Sequence, residues 1–307
     1  MPWPAALERQ LKLSLQEKVP LSSLTTWKAG GTADFLLAPR DVHEAHGAFA
    51  YCREEGVPVW LIGGGSNVLV HPAGLAGLTV WMGRMDTFSW GPGESGKFVI
   101  VADAGCPTRR LLNFCLSHSL SGLEFATGIH GSIGGALMCN AGAGADSMGG
   151  CVEWVESVEG DGSLRRWKST EIRFDYRFSS LAAEPRLVTR CGLGLETAGM
   201  AHVREKVLRF WSLRKGQPHG AMTAGCVFKN PGCGMEPAGL LLDRSGCKGL
   251  AVGNARVSPL HANFIENTGS AKSSDIWKLI CLCRQRVFET SGIWLELEVN
   301  LLGGPWE

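Results

Sequence analysis

The stretch "LIGGGSNVLV", residues 61–70, runs an apolar strand into three consecutive glycines, then Ser66 and Asn67, then a second apolar run. Glycines let a backbone approach a ligand closely, and successive N–H groups beside short polar side chains form a nest for phosphate. A tight strand-to-strand turn is the plainer alternative. The spacing matches neither G-x-G-x-x-G nor G-x-x-x-x-G-K-[ST], so neither a Rossmann dinucleotide site nor a P-loop is supported. A second segment, "TGIHGSIGGALMCNAGAGAD" at 127–146, is dominated by small residues. A protein core has no need of these, whereas a large flat ligand pressed against backbone does. Together the two loops point to an extended dinucleotide lying across two subdomains.

Around these loops the pattern alternates between strand and helix. Residues 4–18 read as a short charged helix, and "VPLSSLTTWKAGGTADFLLAPRD" as an extended stretch, a Gly-Gly turn, a strand and a proline stop. "VHEAHGAFAYCREEG" has helical character. "LTVWM" and "KFVIVADAG" read as strands separated by a Gly/Pro/Ser loop at 91–96, and "PTRRLLNFCLSHSL" as a helix with Pro107 near its start. Strand-like runs resume over 151–195, and "HVREKVLRFWSLRKGQ" is helix-like. A boundary near 196–201 divides the chain into residues 1–198, with subdomains of about 1–80 and 81–198, and a smaller α+β domain, 199–307, ending in the strand "WLELEVNLLG".

The composition narrows the partners. With 30 Lys+Arg against 29 Asp+Glu the formal charge is +1, which gives no electrostatic reason to expect nucleic acid or an anionic membrane. The 41 glycines follow no collagen-like period. Eleven cysteines occur without C-x-x-C or a Cys/His zinc pattern, so they read as reduced thiols of a cytoplasmic protein, and no metal is expected. The N-terminus lacks an apolar signal core, and no apolar run reaches the ~18 residues that span a bilayer, so neither secretion nor membrane insertion is expected. Small-molecule substrates and a monomer are the working expectation.

A third stretch, "GCVFKNP" at 225–231, places a thiol beside a lysine, an asparagine and a proline. Taken alone, Cys226 reads as a small buried hydrophobe.

These stretches, with "TTWKAGGTADFLL", "YRFSS", "AGLLLDRSGCKG", "ARVSPLHANFIENTG" and "GIWLELEVNLLG", together resemble the UDP-N-acetylenolpyruvoylglucosamine reductases (MurB), flavoenzymes of peptidoglycan precursor synthesis. The blocks run in order over nearly the whole chain. The resemblance implies an FAD-binding fold of the vanillyl-alcohol-oxidase type, built from two α/β subdomains, followed by a C-terminal α+β substrate-binding domain. It implies noncovalent FAD and NADPH as cosubstrate, and the length suits the shorter, type II form. FAD would lie against Gly63, Gly64, Gly65, Ser66 and Asn67 of the first loop and Gly128, Gly131, Ser132, Gly134, Gly135, Asn140 and Ala141 of the second. Three positions depart from the family pattern: His130 stands where proline is common, Leu260 where a lysine is common, and Cys226 where serine is usual.

The implied reaction passes hydride from NADPH to the flavin and on to the enolpyruvyl double bond, while a proton completes the lactyl ether. Arg177, in "YRFSS", matches the family's catalytic arginine, a permanently charged fork suited to the negative charge that develops on the substrate. Cys226 would supply the proton in place of a serine hydroxyl. Glu298 matches the C-terminal catalytic glutamate, although strand alternation would put Glu296 on the same face. Tyr176 and Lys229 would contact substrate or nicotinamide phosphate, while Asn230 and Asn263 would bond the nucleotide sugar or position the loop. His261 reads as a structural histidine. The alternatives are another FAD-dependent oxidase or dehydrogenase on the same fold, or a noncatalytic flavin- or nucleotide-sugar-binding protein.

Overall fold

A computed structural model describes residues 2–93, 97–232 and 234–306. Residues 94–96 of the expected loop at 91–96 lie outside the described residues. The chain forms two compact units that are discontinuous in sequence: residues 1–16, 35–64 and 77–215 make one, and 17–34, 65–76 and 216–307 the other. A single cut near 196–201 therefore does not describe the contacts. One cause is Trp27, which is fully buried, donates its indole N–H to the Ile265 carbonyl at 2.7 Å, and accepts at its own carbonyl from Asn267 Nδ2, also at 2.7 Å. These bonds place Trp27, with Ala29 beside it, in the core of the second unit.

The first unit is built on a six-stranded sheet. Five of its strands lie in the order Leu164–Lys168, Val152–Val158, Leu187–Thr197, Phe98–Asp103 and Phe88–Pro92, all antiparallel, and the short strand Leu120–Ser121 pairs with the far end of Leu187–Thr197. A parallel pair, Val59–Ile62 against Leu75–Trp81, leads into the first glycine loop. The helices Val42–Glu54 and Thr108–Ser117 begin where expected, the former capped by Asp41, whose carboxylate accepts the Glu44 N–H at 2.9 Å. The N-terminal helix is shorter than the expected 4–18. It spans Trp3–Leu11 and stops because Lys12 turns left-handed at φ 53, and Gln16–Pro20 is a strand.

In the second unit a three-stranded antiparallel sheet, Ala251–Val252, Ala255–Val257 and Ile265–Asn267, accompanies the helices Ala238–Arg244 and Ser273–Ser291 around a shared core. The expected C-terminal strand is mostly absent: only Asn300–Leu302 is a regular strand, pairing in parallel with Val68–Val70. Upstream of it, the Val227 carbonyl accepts from both Glu298 N–H at 2.8 Å and Val299 N–H at 3.4 Å, so two residues oppose one in a bulge-like break.

Candidate active site

In the first unit the two glycine segments pack on each other, with Gly64 against the backbone of residues 131 and 132. A Cβ at Gly64 would lie 2.6 Å from the Gly131 Cα, one at Gly63 would lie 2.2 Å from the Ser132 Oγ, and one at Gly134 would lie 2.8 Å from the Ala104 Cβ. Gly64 is therefore required by the packing of the two loops and Gly134 by its contact with Ala104, while Gly63 faces a serine hydroxyl. The helix Ile133–Met138 opens with its amides already committed. Ile133 N–H donates to Cys106 O at 2.9 Å, Gly134 N–H to Ala104 O at 2.7 Å, and Gly135 N–H to the Ser132 hydroxyl at 3.4 Å. Gly135 differs from its neighbours. It is exposed, and an added Cβ would meet only the Ser132 Oγ, at an ordinary 3.5 Å. Gly64 is exposed as well, and Gly128 is half-buried with φ 73. These positions present bare backbone, the surface that the flat rings or pyrophosphate of FAD can approach, so the residues present fit the group.

Arg177 sits on a hairpin that the sequence did not announce. Phe174–Asp175 pairs with Phe178–Ser179, and Tyr176 and Arg177 form the two-residue loop, with Arg177 at φ 51. Its guanidinium Nη2 donates to the Gly142 carbonyl at 3.2 Å and lies over the Tyr176 ring, 5.3 Å from the centroid. Tyr176 itself is 52% exposed. The second glycine segment thus holds the arginine through a backbone oxygen, for which no side-chain pattern is a signal. Asn140, expected among the cofactor residues, is buried; its Nδ2 donates to Asp175 O at 2.8 Å and its Oδ1 accepts from Gly149 N–H at 2.9 Å. Ala141 accepts the Met148 N–H at 2.9 Å, and His130 is exposed.

In the second unit Gly65, at φ 62, packs against residues 24 and 25, and its carbonyl accepts the Thr26 N–H at 3.0 Å. Asn67 reaches the other chain end. Its Nδ2 donates to the Glu298 carbonyl at 3.0 Å, and its carbonyl accepts the Asn300 N–H, also at 3.0 Å. Ser66 is half-buried on the same turn.

The half-buried Cys226 follows Gly225, which is at φ 79, and forms a β-bridge with Phe264. Asn263 clamps the next residues from both sides of its amide: Oδ1 accepts Phe228 N–H at 2.9 Å, Nδ2 donates to Phe228 O at 2.8 Å, and its own carbonyl accepts Val227 N–H at 2.9 Å. Asn263 thus positions the loop. Asn230 is exposed, and its Oδ1 accepts the Ala238 N–H at 3.0 Å, at the first turn of a helix. The Glu298–Val227 bond sets Glu298 on the segment beside Cys226. The two glutamates that strand alternation would pair differ in exposure. Glu298 is half-buried, whereas the Glu296 side chain is 78% exposed and lies 3.6 Å from Lys229 Nζ. Leu260 is exposed. His261 has structural contacts: its Nδ1 accepts the Asn263 N–H at 3.2 Å, and burial, followed by the charge of Lys248, lowers its pKa. The ring therefore supports the clamp from behind while neutral.

Known proteins match along both units. A family model described as UDP-N-acetylenolpyruvoylglucosamine reductase, C-terminal domain, matches residues 217–302, and an FAD binding domain model matches residues 33–168. The UDP-N-acetylenolpyruvoylglucosamine reductase of Heliobacterium modesticaldum is 38% identical over 298 residues, covering 97% of this chain and 93% of that protein. The protein of the same name from Rubrobacter xylanophilus is 39% identical over 287 residues, covering 93% of this chain and 94% of its own length. The crystal structure of UDP-N-acetylenolpyruvylglucosamine reductase (MurB) from Thermus caldophilus superposes with a TM-score of 0.79 at 33% identity, covering 94% of this chain and 100% of that one.

Proposed function

This chain belongs to the UDP-N-acetylenolpyruvoylglucosamine reductases, and on that premise we propose that it reduces UDP-N-acetylglucosamine enolpyruvate to UDP-N-acetylmuramate for peptidoglycan synthesis, with FAD as cofactor and NADPH as reductant. The observation that carries the reading is the match along nearly the whole of both this chain and its relatives, which includes the arginine hairpin and the thiol segment as well as the cofactor loops. An oxidase sharing only the cofactor fold has no need of those last two. The 307-residue length fits the family's short form. Among the described residues no helix is long and apolar enough to cross a membrane, and we assign the enzyme to the cytoplasm as a monomer acting on small molecules.

Residues 1–198 are assigned to the cofactor and 199–307 to the substrate, with segments 17–34 and 65–76 folding in the second compact unit. Noncovalent FAD would rest on the glycine segments, and when bound it supplies a two-electron carrier between NADPH and the enolpyruvyl group. The Arg177 guanidinium stabilises the charge that develops on the substrate carboxylate side. The Cys226 thiol delivers the proton, in the place where the family pattern has a hydroxyl. Glu298 assists that proton transfer or orients the substrate, and its partial burial, against the exposed Glu296, supports the choice between them. Tyr176, Lys229 and Asn230, exposed or half-buried and polar, bind substrate or nicotinamide phosphate.

The purified protein is expected to show a flavin spectrum that NADPH bleaches and UDP-N-acetylglucosamine enolpyruvate restores under anaerobic conditions. A protein that binds FAD and is bleached, yet is reoxidised only by oxygen, would overturn the substrate assignment and favour the oxidase reading.

A further inference from the structure

Asn140 lies in the segment that the family resemblance gives to the cofactor, yet its side chain is engaged elsewhere. It is 4% exposed, adopts φ 44, and uses Nδ2 on the Asp175 carbonyl at 2.8 Å and Oδ1 on the Gly149 amide at 2.9 Å. Asp175 is the last strand residue before the Tyr176-Arg177 loop. The same hairpin is fastened twice more. Arg177 Nη2 reaches Gly142 O, two residues beyond Asn140, and Gly149 packs so closely on Phe174 that a Cβ there would lie 2.6 Å from the ring. A left-handed residue that is not glycine costs of order 1–3 kcal/mol and persists only where its surroundings over-determine it. Asparagine accepts this conformation more readily than most residues, and its amide offers both a donor and an acceptor here.

We propose that Asn140 is a positioning residue that ties the cofactor-side glycine segment to the Arg177 hairpin, so that the guanidinium is held where it acts. The proposal rests on the functional reading above. Replacement by aspartate is the sharpest probe, because it keeps the tolerance for positive φ and the acceptor for Gly149 while turning the donor that faces the Asp175 carbonyl into an acceptor. The hairpin bond is then lost and replaced by repulsion. A displacement of this kind at a charge-stabilising group costs on the order of 10²-fold in rate.

The test uses the FAD-loaded enzyme in two separate half-reactions, flavin reduction by NADPH and reoxidation by UDP-N-acetylglucosamine enolpyruvate. Asn140→Asp is expected to keep its FAD and its rate of reduction but to lose on the order of 10²-fold in reoxidation. Combined with Arg177→Ala, it is expected to add no further loss, since it acts through that side chain. A reoxidation rate equal to wild type, or a loss that multiplies with that of Arg177→Ala, overturns the positioning role. Loss of FAD from a folded Asn140→Asp protein overturns it too, and returns Asn140 to the cofactor set. Should the aspartate variant not fold, Asn140→Gly accepts the same φ without repulsion and removes the same bond. If Arg177→Ala alone reoxidises normally, the catalytic assignment of Arg177 fails first, which is a different result from a normal Asn140→Asp beside a slow Arg177→Ala.

Discussion

Alanine at Gly64 and alanine at Gly135 should part company, because the two glycines are bare for different reasons. At Gly64 the new methyl lies 2.6 Å from the Gly131 Cα and 2.9 Å from its carbonyl carbon, both backbone atoms and both well short of the 3.4 Å at which ordinary contact begins. No rotamer change relieves a clash with backbone, so one loop has to retreat, and overpacking of this kind costs about 1–3 kcal/mol. At about 2–4 °C per kcal/mol for a domain of ~200 residues, the apo-protein should melt several degrees lower. At Gly135 the methyl meets only the Ser132 Oγ at 3.5 Å, in a helix and without positive φ. Alanine is favoured over glycine there by up to about 1 kcal/mol, so stability should hold or rise. The cofactor should respond in the opposite sense: if FAD lies on this exposed backbone, Gly135→Ala weakens it at least tenfold, about 1.4 kcal/mol. The assays are thermal unfolding of the FAD-free protein and a titration that follows the quenching of flavin fluorescence. Undiminished stability in Gly64→Ala would refute loop-on-loop packing, and unchanged FAD affinity in a folded Gly135→Ala would remove that surface from the cofactor site.

Cys226→Ser is expected to reoxidise at a substantial fraction of the wild-type rate, while Cys226→Ala keeps FAD and its reduction by NADPH but loses about 10²–10⁴-fold in reoxidation; an undiminished alanine variant would reduce the thiol to filler. Arg186 has a side chain only 5% exposed, bonded to both Glu159 carboxylate oxygens and to Leu181 O, so Arg186→Met should leave the half-buried Glu159 without its cation, held only by Ser157 Oγ and Trp167 Nε1. A loss of about 1.5–3 kcal/mol is expected in urea unfolding, and a loss within about 0.5 kcal/mol would contradict it. His261 should make the protein less stable in mild acid: burial holds its folded pKa below the usual value, so the unfolded chain binds the extra proton first, and stability drops as pH falls through about 6.5 until the folded ring also titrates. Unfolding free energies at pH 7.5 and 5.5 should differ less in His261→Gln than in wild type.

The fold is legible in the sequence wherever period and punctuation agree, as in the helix behind Asp41 and the helix behind Pro107. It is less legible where tertiary contacts decide. Nothing local in "TTWKAGG" says that Trp27 is buried beside Ile265, so a single division near 196–201 misses two early segments that fold with the later unit. Alternation in "WLELEVN" suggests a strand, but a period-two pattern carries no sign of the break where Glu298 and Val299 both face Val227, nor of Glu296 being exposed while Glu298 is half-buried. The glycine loops are visible as glycines, yet their division between packing and ligand is not: Gly64 and Gly131 account for each other, and only their spatial meeting shows it. The Arg177 hairpin is hidden for a chemical reason. Two-residue hairpin loops favour Asn and Gly because positive φ is needed there, and this one is Tyr-Arg.

That mismatch bears on function. Arg177 holds φ 51 in a loop where glycine would be unstrained, and the cost of a left-handed residue with a Cβ is of order 1–2 kcal/mol. Strain of this size persists where the side chain is needed more than the stability. The two can be separated by comparing Arg177→Ala with Arg177→Gly. Both remove the guanidinium and its bond to Gly142 O, so that loss cancels, and both should reoxidise about 10²–10³-fold slower. Only glycine relieves the backbone, so Arg177→Gly should be the more stable of the two by about 1 kcal/mol, visible as a higher urea midpoint at equal slope. Equal stability would show that the turn is unstrained. A glycine variant that matches the wild-type reoxidation rate would show that the strain serves something other than the chemistry.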